Sequence, residues 1–387
     1  MSTVYSTWCS CAPGLEKLLA AELQALGLKP KEIEPGGMSA GMTPAQLYAA
    51  NLHCSVASRI TVRLGKFHAS EFWELEKRAE RLAWHAWLPK GSEIAFRVTS
   101  RKSKLYHNDG IAERIGALVA AKVPGVSVAA PAADDEAPEE QAPRATHHTH
   151  TQLFLIRLIN DEVTISIDAS GDLLYRRGWR HETAKAPIRE TLAAAMLTAS
   201  GWTPGRDLHD PFCGSGTVVI EAARRARKIP AGWDRDFAFE RWPTFDAAAW
   251  REVRAQAESA FRPLPGGTLL GTDRDPGAIR AALANARRAG VKDDVEFAEA
   301  DIRDLPPQDG VAIVTNPPYG VRVGDPGDMA PLYSALGRLM KGTGTTLTFL
   351  SPDHALTQAT RVATKTAWKS LNGGIGVECC ISAPPLP

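Results

Sequence analysis

Asp210-Pro211-Phe212-Cys213-Gly214-Ser215-Gly216-Thr217 is the stretch on which the fold turns, and Asn316-Pro317-Pro318-Tyr319, about a hundred residues later, carries the chemistry. A short run through Leu208 ends at Asp210. Two glycines then flank a serine, and Val218-Val219-Ile220-Glu221-Ala222-Ala223 has the character of a helix start. A strand that turns through glycine into a helix exposes backbone N–H groups where the helix dipole is positive, a seat for a carboxylate or phosphate. A phosphate-binding loop needs Lys after its last Gly, where Thr217 stands. The dinucleotide fingerprint needs a wider spacing than Gly214-Ser215-Gly216. What remains is a turn for a small zwitterionic cofactor, its carboxylate toward the helix start and its ammonium toward Asp210. Pro211, Cys213, Gly214, Ser215, Gly216 and Thr217 complete this candidate cofactor-binding turn. The plainer alternative is a strand-to-helix turn whose glycines serve packing alone.

Downstream, Thr268 to Asp273 is a second strand ending in an acid, and Arg274-Asp275-Pro276 opens a helix running from Ala278 to Ala289. An acid at the carboxyl end of the second strand of a doubly wound sheet is placed to accept hydrogen bonds from ribose hydroxyls. Asp273 takes that role, with Arg274 beside it. Val295 to Ala298 leads to Asp301-Ile302, an acid just past a third strand, suited to an adenine amino group or else merely solvated. Val311 to Thr315 is almost wholly apolar, as a strand buried on both faces should be. It delivers Asn316-Pro317-Pro318-Tyr319. The exocyclic amine of a purine is a poor nucleophile because its lone pair is delocalised into the ring. Two acceptors, the Asn316 side-chain oxygen and the Pro317 carbonyl, would pull that nitrogen toward a tetrahedral form. Successive prolines fix φ and remove donors, and Tyr319 can stack on an extruded base. Asn316, Pro317 and Tyr319 are the candidate catalytic residues, and Asn316 also borders the cofactor. Positioning supplies the acceleration, so no strong base is required.

These motifs make the segment from about Thr183 to Ser382 resemble a Rossmann-like class I methyltransferase of the amino-methylating group. The whole chain resembles bacterial THUMP-domain RNA guanine-N2 methyltransferases, in particular the large-subunit ribosomal RNA branch. The resemblance is carried by Cys9-Ser10-Cys11-Ala12-Pro13-Gly14-Leu15-Glu16, by Arg176-Arg177-Gly178-Trp179-Arg180, by the helix Ala186 to Ala195 and by Asn316 to Arg322. It implies S-adenosyl-L-methionine on the first motif and a guanine held by Asn316, Pro317 and Tyr319. The substrate implied is 23S rRNA, with tRNA the nearest alternative. An adenine-N6 nucleic-acid methyltransferase and a non-catalytic RNA-binding or assembly factor are further readings. Some ribosomal members carry a second methyltransferase at the carboxyl end, whereas this chain stops at Pro387.

The expected fold class is α/β: a class I methyltransferase domain preceded by a ferredoxin-like α+β unit and a THUMP domain. The expected boundaries are 1–66 for the ferredoxin-like unit, 67–172 for the THUMP unit with a flexible insertion at about 129–150, 173–190 for a linker, and 191–387 for the methyltransferase. No apolar run approaches a membrane span and no signal peptide is written at the amino terminus, so a cytoplasmic protein without a membrane partner is expected, with a monomer favoured. The six cysteines match neither a zinc site nor a disulfide framework, and His147, His148 and His150 read as a polar loop end, so no metal is expected. A net charge of +1 is small for a nucleic-acid protein, and RNA affinity must come from local patches. Two are candidates: Arg97, Arg101, Lys102 and Lys104 at a strand end, and Arg176, Arg177, Trp179 and Arg180 in the linker, where Trp179 offers a stacking platform. Arg322 joins them beside the catalytic motif. The run Arg224 to Lys228 closes a helix and complements its dipole.

Overall fold

Period-two alternation and period-3.6 amphipathicity assign the elements, and the computed structural model describes them over residues 3–130, 151–182, 188–319 and 329–382. The amino-terminal half runs β1 (Tyr5–Cys11), α1 (Glu16–Ala25), β2 (Lys31–Glu34), β3 (Gly37–Met42), α2 (Pro44–His53), β4 (Ala57–His68), α3 (Phe72–Ala79), β5 (Glu93–Arg101), α4 (Asn108–Lys122), β6 (Ser127–Val128), β7 (Gln152–Ile159) and β8 (Glu162–Asp168). Local signals set some ends firmly. Thr43 caps α2 and Gln46 returns the hydrogen bond, with Pro44 at the first helical position.

These strands form a single eight-stranded sheet, ordered β2-β3-β1-β4-β8-β7-β5-β6. β4 is long enough to pair with β1 at one end and with β8 from Thr61↔Asp168 to His68↔Glu162. The two small units expected from the sequence therefore share one sheet, and the boundary expected at residue 66 falls inside β4. One sheet face is apolar and covered: Ile60, Val62, Phe154, Ile156, Ile165 and Ile167 are fully buried. The other carries the intervening polar residues Arg59, Thr61, Arg63, Ser166 and Arg157.

The carboxyl-terminal half runs α5 (Glu190–Ala199), β9 (Leu208–Asp210), α6 (Thr217–Ala226), α7 (Ala247–Ser259), β10 (Leu269–Asp273), α8 (Pro276–Arg288), β11 (Glu296–Glu299), β12 (Ala312–Thr315), α9 (Met329–Leu339), β13 (Thr346–Ser351), α10 (His354–Ala359), β14 (Thr364–Asn372) and β15 (Ile375–Ser382). Its seven strands are ordered β11-β10-β9-β12-β13-β15-β14. The first five are mutually parallel and β15 runs antiparallel to both its neighbours. Strand order reverses between β9 and β12, the place where a doubly wound sheet opens a crevice beyond its strand ends. No helix among the described residues is long and apolar enough to cross a membrane.

The expected linker is a seam between the halves. Leu174, Tyr175, Arg177 and Trp179 are buried. Arg235 reaches back to donate to the carbonyls of Ser170, Asp172, Leu173 and Arg176. An aromatic cluster of Tyr48, Phe237, Phe239, Phe245 and Trp250 closes the rest of the contact.

Candidate active site

β9 and β12 are direct neighbours, so Asp210 at the end of one and Asn316 just after the other face the same crevice. The Thr315 hydroxyl donates to Asp210 Oδ1 at 2.6 Å and ties the two strand ends together. A cavity of about 470 Å3 opens there, within the size range of small-molecule sites. All the sequence-predicted cofactor and catalytic residues line it except Gly216.

Gly216 serves a different purpose. It adopts a left-handed conformation at the start of α6, with φ of 84°. A Cβ there would lie 2.8 Å from Phe297 Cζ and 3.0 Å from Ala282 Cβ. The glycine is required there by close packing of the turn against β11 and α8. Gly214 remains in the lining, and its N–H donates to Asp273 Oδ2 at 3.0 Å.

Three of the four acids that line the cavity differ in electrostatic state. Asp210 is almost fully buried, and burial pushes its carboxyl up to about 7 despite hydrogen bonds from Thr315 and the Phe212 N–H. Burial also raises Asp273, although Gly214 and Asp275 donate backbone N–H groups to it. Asp301 goes the other way: Arg303 grips both its oxygens, at 2.9 and 2.6 Å, and holds it down at about 2. Burial drives the Cys213 thiol well above its usual range, so it offers no thiolate.

Asn316 and Tyr319 meet directly. The Tyr319 hydroxyl donates to Asn316 Oδ1, and Asn372 Nδ2 donates to the tyrosine oxygen at 3.2 Å. One lone pair of Asn316 Oδ1 is therefore engaged and the other is available to an incoming N–H.

A family model described as "RMKL-like, methyltransferase domain" matches residues 177–380, and one described as "RlmL ferredoxin-like domain" matches residues 7–61. The chain belongs to the RMKL-like methyltransferase family. Ribosomal RNA large subunit methyltransferase K/L of Legionella pneumophila (strain Lens) is 34% identical over 86% of this chain, which spans 46% of that protein. Protein slr0064 of Synechocystis sp., named as an RNA methyltransferase, is 28% identical over 97% of this chain and 95% of its own. The structure of SMU.472, complexed with SAH, superposes with a TM-score of 0.86 at 28% identity, covering all of both chains.

For this RMKL-like chain, the RNA-facing expectations divide. Arg177 and Trp179 are each 1% exposed. Arg177 pairs with Glu221 and donates to the Leu174 carbonyl. Arg180, its side chain 4% exposed, pairs with Glu190 at 3.0 Å and donates to the Ile188 carbonyl and the Thr217 hydroxyl. All three are corrected from RNA contacts to the interior of the seam. Arg176 stays half-buried beside Asp172. Arg101, Lys102 and Lys104 are exposed at the end of β5, whereas Arg97 points into a separate cleft on the sheet face. Arg322, the three histidines and most of the 129–150 insertion lie outside the described residues.

Sequence reasoning missed several members of the site. Ile188, inside the Ala186 to Ala195 segment but given no role there, lines the cavity as apolar wall with Met329 and Leu332, which no local motif marks. His209 bridges Thr272 and Gln308 beneath it, and burial lowers it to about 4, so it is neutral. Arg224 does more than complement a helix end: it pairs with Asp234 at 2.6 Å and donates to the carbonyls of Ala289 and Pro230.

Proposed function

We propose that this chain methylates the exocyclic N2 amine of a guanosine in 23S ribosomal RNA, with S-adenosyl-L-methionine as donor. The observation that carries the reading is one cavity lined on one side by Asp210, Asp273 and Asp301 and on the other by Asn316, Pro317 and Tyr319. The residues suit the donor. Asp210 supplies a buried carboxylate for an ammonium, Asp273 an acceptor for ribose hydroxyls, and the start of α6 a positive dipole end for a carboxylate. When bound, the donor supplies an electrophilic methyl group on a sulfonium. Asn316 Oδ1 and the Pro317 carbonyl accept the two amine hydrogens, which localises the nitrogen lone pair and aims it. Tyr319 stacks on the base. The amine proton leaves to solvent after transfer, so no buried base is needed.

Support comes from the family membership and from relatives named for ribosomal RNA and RNA methylation. The test is direct. The protein is incubated with 23S rRNA and isotopically labelled donor, and the digested nucleosides are resolved by mass spectrometry. N2-methylguanosine is expected. Label appearing only in N6-methyladenosine, or only when tRNA replaces ribosomal RNA, would reject the proposal.

A further inference from the structure

A second cavity, of about 510 Å3, lies between the polar face of the amino-terminal sheet and the turn joining β14 to β15. Its floor follows from strand alternation: where Ile60, Phe154 and Ile165 enter the core, their neighbours point the other way. Cross-strand register then sets Arg63, Ser166, Leu155 and Arg97 in one row across β4, β8, β7 and β5. Arg157 stands one row along, opposite Thr164 and Thr99. Three strand spacings, roughly 14 Å, separate Arg63 from Arg97.

Five arginines line this cavity and no Asp or Glu does. In a chain of net charge +1 that is a local concentration, not a general property of the surface. The five are not equivalent. Arg59 is spoken for by the buried Asp168, and the ion pair of Arg63 is with Glu32, whose side chain is 62% exposed. Arg157 is exposed and makes no ion pair among the described residues. Aromatic faces back two of the guanidinium groups: Arg63 lies 5.2 Å over Trp8, and Arg189 lies 4.9 Å over Tyr175.

The position of this cleft ties it to the active site. Ile188 lines the catalytic cavity and Arg189 lines this one. On the opposite wall Asn372 holds the Tyr319 hydroxyl, while Leu371 and Gly373 on either side of it face the arginine cleft. The two cavities share a thin wall.

We propose that the cleft seats the single-stranded RNA flanking the target base, with Arg63, Arg97 and Arg157 on its backbone phosphates. The inference rests on the function proposed above. An acidic peptide would find the same charges, but only a strand that delivers a base to Tyr319 has reason to cross this wall.

The test is the Arg63→Ala/Arg157→Ala double variant, titrated with a fluorescent oligouridylate across a range of salt. The expected result is at least a roughly tenfold loss of affinity and a salt slope shallower by about two counterions. Calorimetric affinity for S-adenosylhomocysteine should be unchanged. Unaltered RNA affinity and slope in a variant that melts like the parent would overturn the proposal, as would equal losses of both ligands. Arg157→Glu alone, at an exposed position, repeats the test if the double variant folds poorly. The two proposals separate cleanly. Arginine-dependent RNA binding without methyl transfer supports the cleft and rejects the reaction, whereas methylation of 23S rRNA by the double variant at parental KM rejects the cleft and leaves the reaction standing.

Discussion

Asn316 and Tyr319 form a linked pair, and the link decides what each substitution should do. Asn316→Ala removes the acceptor proposed to aim the amine while leaving Asp210 and Asp273 in place. It should lower kcat by roughly 100-fold or more with S-adenosylhomocysteine affinity kept, as checked by single-turnover kinetics and calorimetry. Tyr319→Phe frees the Asn316 oxygen from the tyrosine hydroxyl yet retains the ring, so activity should stay within a few-fold. Tyr319→Ala also removes the stacking face, a loss of about 1–3 kcal/mol in kcat/KM. If the Phe variant is as impaired as the Ala variant, the stacking role is wrong. Asp210 adds a pH dependence. Its folded value of about 7 lies above the ordinary 3.8, so the folded chain holds a proton that the unfolded chain releases above about 4. The stability this contributes is present at low pH and is lost as pH rises through about 7. Affinity for a ligand ammonium runs the opposite way, because it needs the carboxylate. S-adenosylhomocysteine binding should strengthen as pH rises through about 7, and Asp210→Asn should abolish that trend. A flat profile in the parent protein would exclude Asp210 as the ammonium partner.

At the scale of elements, the catalytic crevice was legible because its signals are local. β9, β10 and β12 end at or next to residues that line the cavity, and apolar runs, acids and prolines lie within a few positions of one another. The seam was not legible from residue type. Arginines interleaved with aromatics read equally well as an RNA strip or as buried cations, and only the partners decide. Glu221, the partner of Arg177, lies 44 residues along the chain, and no local spacing marks Glu190 for Arg180 or Asp234 for Arg224 as pairs. The arginine cleft was hidden for a related reason. Arg63 and Arg157 are isolated in sequence, Arg97 reads as one of a strand-end patch with Arg101, Lys102 and Lys104, and the three come together only through strand register. Gly216 shows a further limit, since its packing role is invisible until Phe297 is placed against it. The seam assignment has a measurable consequence. Arg180→Ala would strand the carboxylate of Glu190, itself 1% exposed, and breaking a buried pair from one side costs about 3–5 kcal/mol. Urea denaturation should show a loss of that size. A change below about 1 kcal/mol, the range of a surface ion pair, would return Arg180 to the surface.

Across the whole molecule, the two sheets are joined by more than the chain that connects them. Tyr48 of α2 stacks on Phe239 at a centroid distance of 4.4 Å, and Phe239 in turn meets Trp250 of α7 edge to face at 5.3 Å. Trp242 donates from its indole to Gln152 of β7 at 2.9 Å and packs edge to face on Trp87. Arg235 hydrogen-bonds four carbonyls of the segment leaving β8. These groups come from the stretch between α6 and β10, so a loop of the catalytic half is folded into the core of the amino-terminal half. Such an arrangement couples the position of the arginine cleft to that of the catalytic cavity, as the proposed RNA path across them requires. It also predicts that the halves unfold together. Calorimetry should record a single transition for the parent protein, and Phe239→Ala, which empties a fully buried aromatic site, should destabilise that same transition by about 3–5 kcal/mol. Two resolved transitions in the parent, or a shift confined to one of two transitions in the variant, would mean that the halves are independent bodies and that the shared wall is not held in place by the seam.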